Sequence, residues 1–166
     1  MNARNWKDFA EIAGIAAIVA SLIFVGLELN QSRDAVLSET SASLLSARVE
    51  LNNFIGDHPE IWVKGNAGGE LTDTEYATYY RIIESMHWLI WSSWRHSLRF
   101  EVDIPRDLAI ADFAGFLHQN PGALATWEAY VELRESARMQ LVSDYDENRF
   151  NQAVLADLNR LTTQPE

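Results

Sequence analysis

The apolar positions of this chain fall into two regimes. Residues 12–27 (IAGIAAIVASLIFVGL) form an unbroken run without a charge, and everything after residue 30 has apolar side chains spaced three and four apart. Extended over residues 9–29, with Glu11 two positions and Glu28 one position inside the ends, the run spans about 31 Å as a helix, the thickness of a bilayer's hydrocarbon core. Trp6 and Lys7 before it, and Asn30, Gln31 and Arg33 after it, suit the interfacial zones. No small-x-small cleavage site follows Val25-Gly26-Leu27, so the run is expected to stay as an anchor. The competing reading is a buried core helix of a soluble protein. Within the run, Ala13, Ala17 and Ser21 recur every four residues, a row that lets a second membrane helix approach closely.

Beyond the run the periodicity is helical and no strand-like alternation persists. Residues 34–56 contain neither Pro nor Gly before Gly56, and Leu37, Leu44, Leu51 and Ile55 fall near one face, widened by Val36 and Phe54. This predicts that the anchor helix continues as a stalk. Asp57-His58-Pro59 breaks it and starts a short helix over 60–64, ending in the GNAGG segment of residues 65–69, which reads as a flexible connector. Thr72-Asp73-Thr74-Glu75 is a capping box opening a helix to about residue 100. Asp103-Ile104-Pro105 opens another, ending near Gln119, and Asn120-Pro121 opens one reaching towards Leu141. Ser143 or Asp144 caps a last helix over 147–161. The expected fold is therefore all-α: a single N-terminal transmembrane helix continuing as a long stalk helix, packed with a small helical bundle domain. The corresponding boundaries are 1–30 for the anchor, 31–162 for the helical domain and 163–166 for a frayed tail.

Composition narrows the function. The 166 residues hold 13 Lys and Arg against 24 Asp and Glu, a formal net charge of −11, which excludes a non-specific nucleic-acid binder and a polybasic lipid patch. Without cysteine there are no disulfides, thiolate nucleophiles or cysteine-ligated metals. The 48% hydrophobic content, with six Trp, is enough for a packed core. Arg4 and Lys7 precede the apolar run and only Arg33 lies close behind it, which leans towards a cytoplasmic N-terminus and an exported, periplasmic helical domain.

Candidate chemistry is sparse. Glu84 and His87 make one E-x-x-H unit, whereas carboxylate-bridged metal bundles use two plus further Glu residues. His87 reads more simply as a core histidine satisfied by a hydrogen bond among aromatic rings. Trp88, Trp91 and Trp94 follow at three-residue spacing, with Tyr76, Tyr79 and Tyr80 upstream. These rings are foremost core material; the alternatives are a partner surface or an apolar ligand pocket, formed from Tyr80, His87, Trp88, Trp91 and Arg95. Ser92 and Ser93 near His96 lack the strained turn of a nucleophile, and the glycine segment lacks the Lys-Ser/Thr of a phosphate loop. Glu128, Glu132 and Glu135 read as a solvated face, partly paired by Arg134 and Arg138. No catalytic set, cofactor or metal is expected.

The order of features is familiar: a Trp and a basic residue before the span, L-E-L-N-Q-S-R after it, then D-H-P-E-I-W with a glycine loop, L-T-D-T-E, and N-P-G-A-L-A-T-W. It resembles a widespread group of uncharacterised bacterial proteins with one N-terminal transmembrane helix and a helical domain. That resemblance implies a place in a bacterial envelope and carries no activity or catalytic residue with it. The resulting expectation is a non-enzymatic accessory or scaffold subunit of a larger inner-membrane complex. Its partners would be other integral membrane proteins and the lipid bilayer, with no nucleic acid. The alternative is a membrane-anchored helical ligand-binding sensor domain.

Overall fold

A computed structural model describes residues 3–99, 106–138 and 145–163. The described elements are six helices: α1 (Ala3–Asp57), α2 (Pro59–Asn66), α3 (Asp73–Arg99), α4 (Arg106–Gln119), α5 (Pro121–Arg138) and α6 (Tyr145–Thr163). The fold is all-α, and the helix order is the one that the Pro and capping residues predict. The chain divides into two compact units, Met1–Ser43 and Leu44–Glu166, with α1 contributing to both.

The first unit is a single stretch of α1. Its apolar run is long and apolar enough to cross a membrane, and no side chain in it is covered by protein. Ile12, Leu22 and Phe24 are each about two-thirds exposed. The helix passes through residue 30 without interruption, so the expected anchor boundary lies inside a continuous element. Ser21 Oγ donates to the Ala17 carbonyl at 2.8 Å, which satisfies the hydroxyl within the helix and keeps the small-residue row smooth.

The second unit is built around α3, which packs against α2, α4, α5 and α6, while α4 lies along α6 and α5. Its buried face follows the helical period: Tyr79, Ile82, Ile83, His87, Trp91 and Trp94. Phe113 and Leu117 of α4, Trp127 and Tyr130 of α5, and Phe150 and Val154 of α6 complete the core. The rings meet edge-to-face and offset: Phe113 lies at 90° to Trp127 with centroids 6.0 Å apart, and Trp62 stacks on Phe116 at 5.6 Å.

Two local features fix how α2 and α3 begin and end. The predicted capping box is formed: the Thr72 amide donates to Glu75 Oε2 at 2.7 Å and the Glu75 amide donates to Thr72 Oγ1 at 3.3 Å. The Thr72 amide, with the Lys64 ammonium at 3.1 Å, holds the Glu75 carboxyl below the ordinary carboxylate range. The expectations at Asp103-Ile104-Pro105, at Ser143 or Asp144, and at the ends near 100 and 141 lie outside the described residues.

The glycine segment corrects a prediction. Instead of a flexible connector it is a close-packed joint, and Gly65 lies inside α2, buried. The Gly69 amide donates to the Lys64 carbonyl at 2.9 Å and the Gly68 amide to the Gly65 carbonyl at 3.0 Å, a Schellman closure with Gly68 at φ +71°. A side chain at Gly65 would strike the Tyr79 ring, and one at Gly122 would strike the Gly65 carbonyl. The glycines therefore let α2, α3 and the start of α5 touch backbone to side chain and backbone to backbone. Gly115, in the middle of α4, has open space around its missing side chain. Gly122→Ala is accordingly expected to destabilise the fold by about 1–3 kcal/mol. Gly115→Ala stabilises it by up to about 1 kcal/mol through helix propensity. Paired thermal melts of the two variants measure the contrast.

Candidate functional site

The most ordered polar arrangement lies inside the second unit, where three helices each contribute to one chain of contacts. His87 of α3 and Glu147 of α6 have no solvent exposure at all. The Trp127 indole Nε1–H of α5 donates to His87 Nδ1 at 3.1 Å. An indole nitrogen can only donate, so Nδ1 accepts and the imidazole is neutral with its proton on Nε2. That Nε2 faces Glu147 Oε1 at 3.4 Å. The other carboxylate oxygen accepts from Arg134 Nη2 of α5 at 3.2 Å. The Arg134 guanidinium, half-buried, lies 5.1 Å from the Trp88 ring centre, so the chain of contacts ends at the surface on an aromatic face.

The chemistry of this arrangement is structural. Tyr130 packs on the His87 ring at 4.9 Å, with Phe150 at 5.5 Å and Phe113 at 6.4 Å, so no face of the imidazole is open to a substrate. A neutral imidazole between a donor and a carboxylate orients both, and it ties α3, α5 and α6 in one register. The core-histidine reading of His87 thus holds in detail. The E-x-x-H pair separates: Glu84 turns outward to Arg81 at 3.0 Å while His87 turns inward. Among the described residues no group of three or more His, Cys, Asp or Glu is assembled to hold a metal ion.

The remaining aromatic candidates divide between core and surface. Trp91 is 6% exposed and Trp94 5%, so Trp91 and His87 are interior residues and not parts of a partner surface. Packing decides this: α4 and α6 cover the side of α3 on which 87, 91 and 94 lie. Tyr80, Trp88 and Arg95 remain half-buried. Arg95 lies over the Trp91 ring at 5.0 Å, and burial followed by the Glu84 charge raises the Tyr80 hydroxyl above its usual range. The solvated-face reading of Glu128, Glu132 and Glu135 agrees with their exposure, but Arg134 serves Glu147 rather than that face.

Sequence reasoning missed Glu147, Trp127 and Arg134. An acid three residues into a helix, flanked by Asp146 and Asn148, carries no mark of burial. The available clue was the spacing of Glu147, Phe150, Val154 and Leu158 on one helical face, which places the acid at a core position.

Two clefts open on the surface of this unit on either side of Leu44, Leu51 and Leu89. One, of about 740 Å³, runs between residues 44–54 of α1 and 81–92 of α3, with Trp88 and Phe54 in its walls. The other, of about 510 Å³, lies towards Trp62, Met86 and Phe116, with Arg48 and Asp112 at its edge. Compared with known protein families, curated proteins and solved structures, the chain matches none.

The buried chain makes a graded prediction. Glu147→Leu leaves the buried His87 Nε2–H facing an apolar group and strips Arg134 of its carboxylate, and is expected to cost about 3–5 kcal/mol. Glu147→Gln retains an acceptor oxygen and costs less, and Trp127→Phe, which removes one donor, costs about 1–3 kcal/mol. Denaturant unfolding of the three variants should rank them with Glu147→Leu the least stable.

Proposed function

We propose that this chain is a non-enzymatic accessory or scaffold subunit of a larger bacterial inner-membrane complex. Its apolar span packs against partner spans and its helical domain braces partner surfaces. The observation that supports this most directly is the exposure of residues 12–29 on every side of α1. The sixteen uncharged residues 12–27 within that stretch need hydrocarbon or other helices around them. The row of Ala13, Ala17 and Ser21, with the Ser21 hydroxyl satisfied internally, suits a helix neighbour better than lipid tails alone.

The helical domain supports the same reading from the other direction. Its most ordered polar groups are turned towards one another in the core, whereas Val63, Leu108, Leu133 and Leu155 are exposed apolar side chains on its outside. Such a domain offers shape and apolar area to a partner in preference to reacting groups. The excess of Arg4 and Lys7 before the span over Arg33 after it supports a cytoplasmic N-terminus and a periplasmic helical domain as part of this reading.

Solubilisation of native membranes in mild detergent, followed by purification on this chain, should recover a stoichiometric set of membrane proteins. Replacing Ala13 and Ala17 with Leu should cut that recovery by about tenfold, the loss of roughly 1.4 kcal/mol of helix packing. Undiminished recovery would overturn the role of the small-residue row, and recovery of the chain alone would overturn the subunit reading. Orientation has its own test. Because the sequence holds no cysteine, Ser136→Cys, at an exposed position of α5, provides a single thiol. A membrane-impermeant maleimide added to spheroplasts should label it, and protection until lysis would reverse the topology.

A further inference from the structure

The cleft between α1 and α3 has the form and charge of a groove for a helix. Residues 81–92 of α3 form one wall over about 16 Å, or three helical turns. Leu44, Leu51, Phe54, Trp88 and Leu89 supply its apolar lining, together with the small residues Ala47, Ser85 and Ser92. The groove opens to solvent along its length, unlike the enclosing pockets that bury most of a small ligand. An open trough flanked by two helices accommodates a third through side chains at i, i+4 and i+7.

Its charge selects the occupant. Glu50 stands on the α1 wall and Glu84 on the α3 wall. Among the described lining residues the one cation, Arg81, pairs with Glu84 at 3.0 Å, so the two carboxylates and one guanidinium leave the walls at a net −1. The neighbouring cleft, by contrast, carries both signs in Arg48 and Asp112. A second copy of this chain, at a net −11, is a poor electrostatic match for acidic walls. We propose that the α1–α3 groove docks an amphipathic partner helix with an apolar stripe and Lys or Arg on its flanks. This rests on the accessory-subunit reading and names the chemistry of the partner at that surface.

The test uses the full chain in nanodiscs of zwitterionic lipid and two synthetic amphipathic helices. Both peptides carry one photoreactive group on an identical apolar face; one has Lys on its flanks and the other Glu. The Lys peptide should cross-link within residues 44–54 and 81–92, and the Glu peptide about tenfold less. In the Glu50→Lys, Glu84→Lys variant that preference should reverse, a change that mere loss of fold does not produce. Ser85→Trp, which fills the trough from an exposed position, should abolish cross-linking of both peptides there. Cross-links mapping elsewhere, or a yield in the groove that ignores the charge swap, would overturn the proposal, as would cross-links from one copy's groove to another copy. Native complexes recovered intact with the Glu50→Lys, Glu84→Lys chain would sink the groove and leave the subunit reading standing. Failure to recover any complex with the parent chain would sink the subunit reading, whatever the peptides do.

Discussion

A carboxylate with no exposure, Glu147, lies at the centre of the helical domain, and the placement of three helices follows from keeping it satisfied. Removing a charged group from water costs several kcal/mol unless donors surround it. Here Arg134 of α5 donates to one carboxylate oxygen, His87 Nε2 of α3 faces the other at 3.4 Å, and Trp127 fixes the imidazole from behind. Apolar packing alone would tolerate small slides of α6 along α4, since Phe150 and Val154 can meet several neighbours. The polar chain does not, because one residue of slip takes the carboxylate away from Arg134 and from the His87 ring. The aromatic rings supply most of the burial, and the buried polar chain selects the register in which they pack.

The same chain explains why Trp88 stands where it does. Arg134 cannot bury its whole guanidinium on one carboxylate oxygen, and its outer face rests on the Trp88 ring. Trp88 in turn meets Trp91 edge-on at 5.0 Å, so the surface indole is braced from two sides before any partner arrives. A ring held this way presents a pre-ordered apolar wall to the cleft beside it, and docking there loses little side-chain entropy. Interior electrostatics thereby reach an outer surface through one arginine and one tryptophan.

How much of this was legible in the sequence depended on whether the responsible interaction was local. Thr72 with Glu75, Pro59 and Pro121 act within a few residues, and the helix starts they encode are found where they predict. The exposed apolar run of α1 was equally plain, because it is contiguous. Gly65 through Gly69 misled, since a glycine-rich string describes both a loose linker and a tight joint. Only Tyr79 and Gly122, distant in sequence, distinguish the two. His87 was legible as a buried histidine, but its partners lie 40 and 60 residues away, and nothing near Glu147 announced that it would be interior. The clefts were invisible for the same reason: they are the space left where two helices meet through a few side chains.

This division bears on where function can lie. The strongest chemistry in the domain is consumed internally, with imidazole, indole, carboxylate and guanidinium each turned towards another. A domain that commits these groups to its own register has rigidity to offer, which suits the proposed role as a brace. Its free chemistry is of a simpler kind, an apolar trough with carboxylates on both walls and an apolar span with a smooth small-residue face. Both are complementary to helices, one in water and one in lipid. A helical partner that engages both would gain by linkage, because binding at the span raises the local concentration of its soluble segment at the groove. On the proposed reading each contact can then be individually weak while the pair together holds the domain in place.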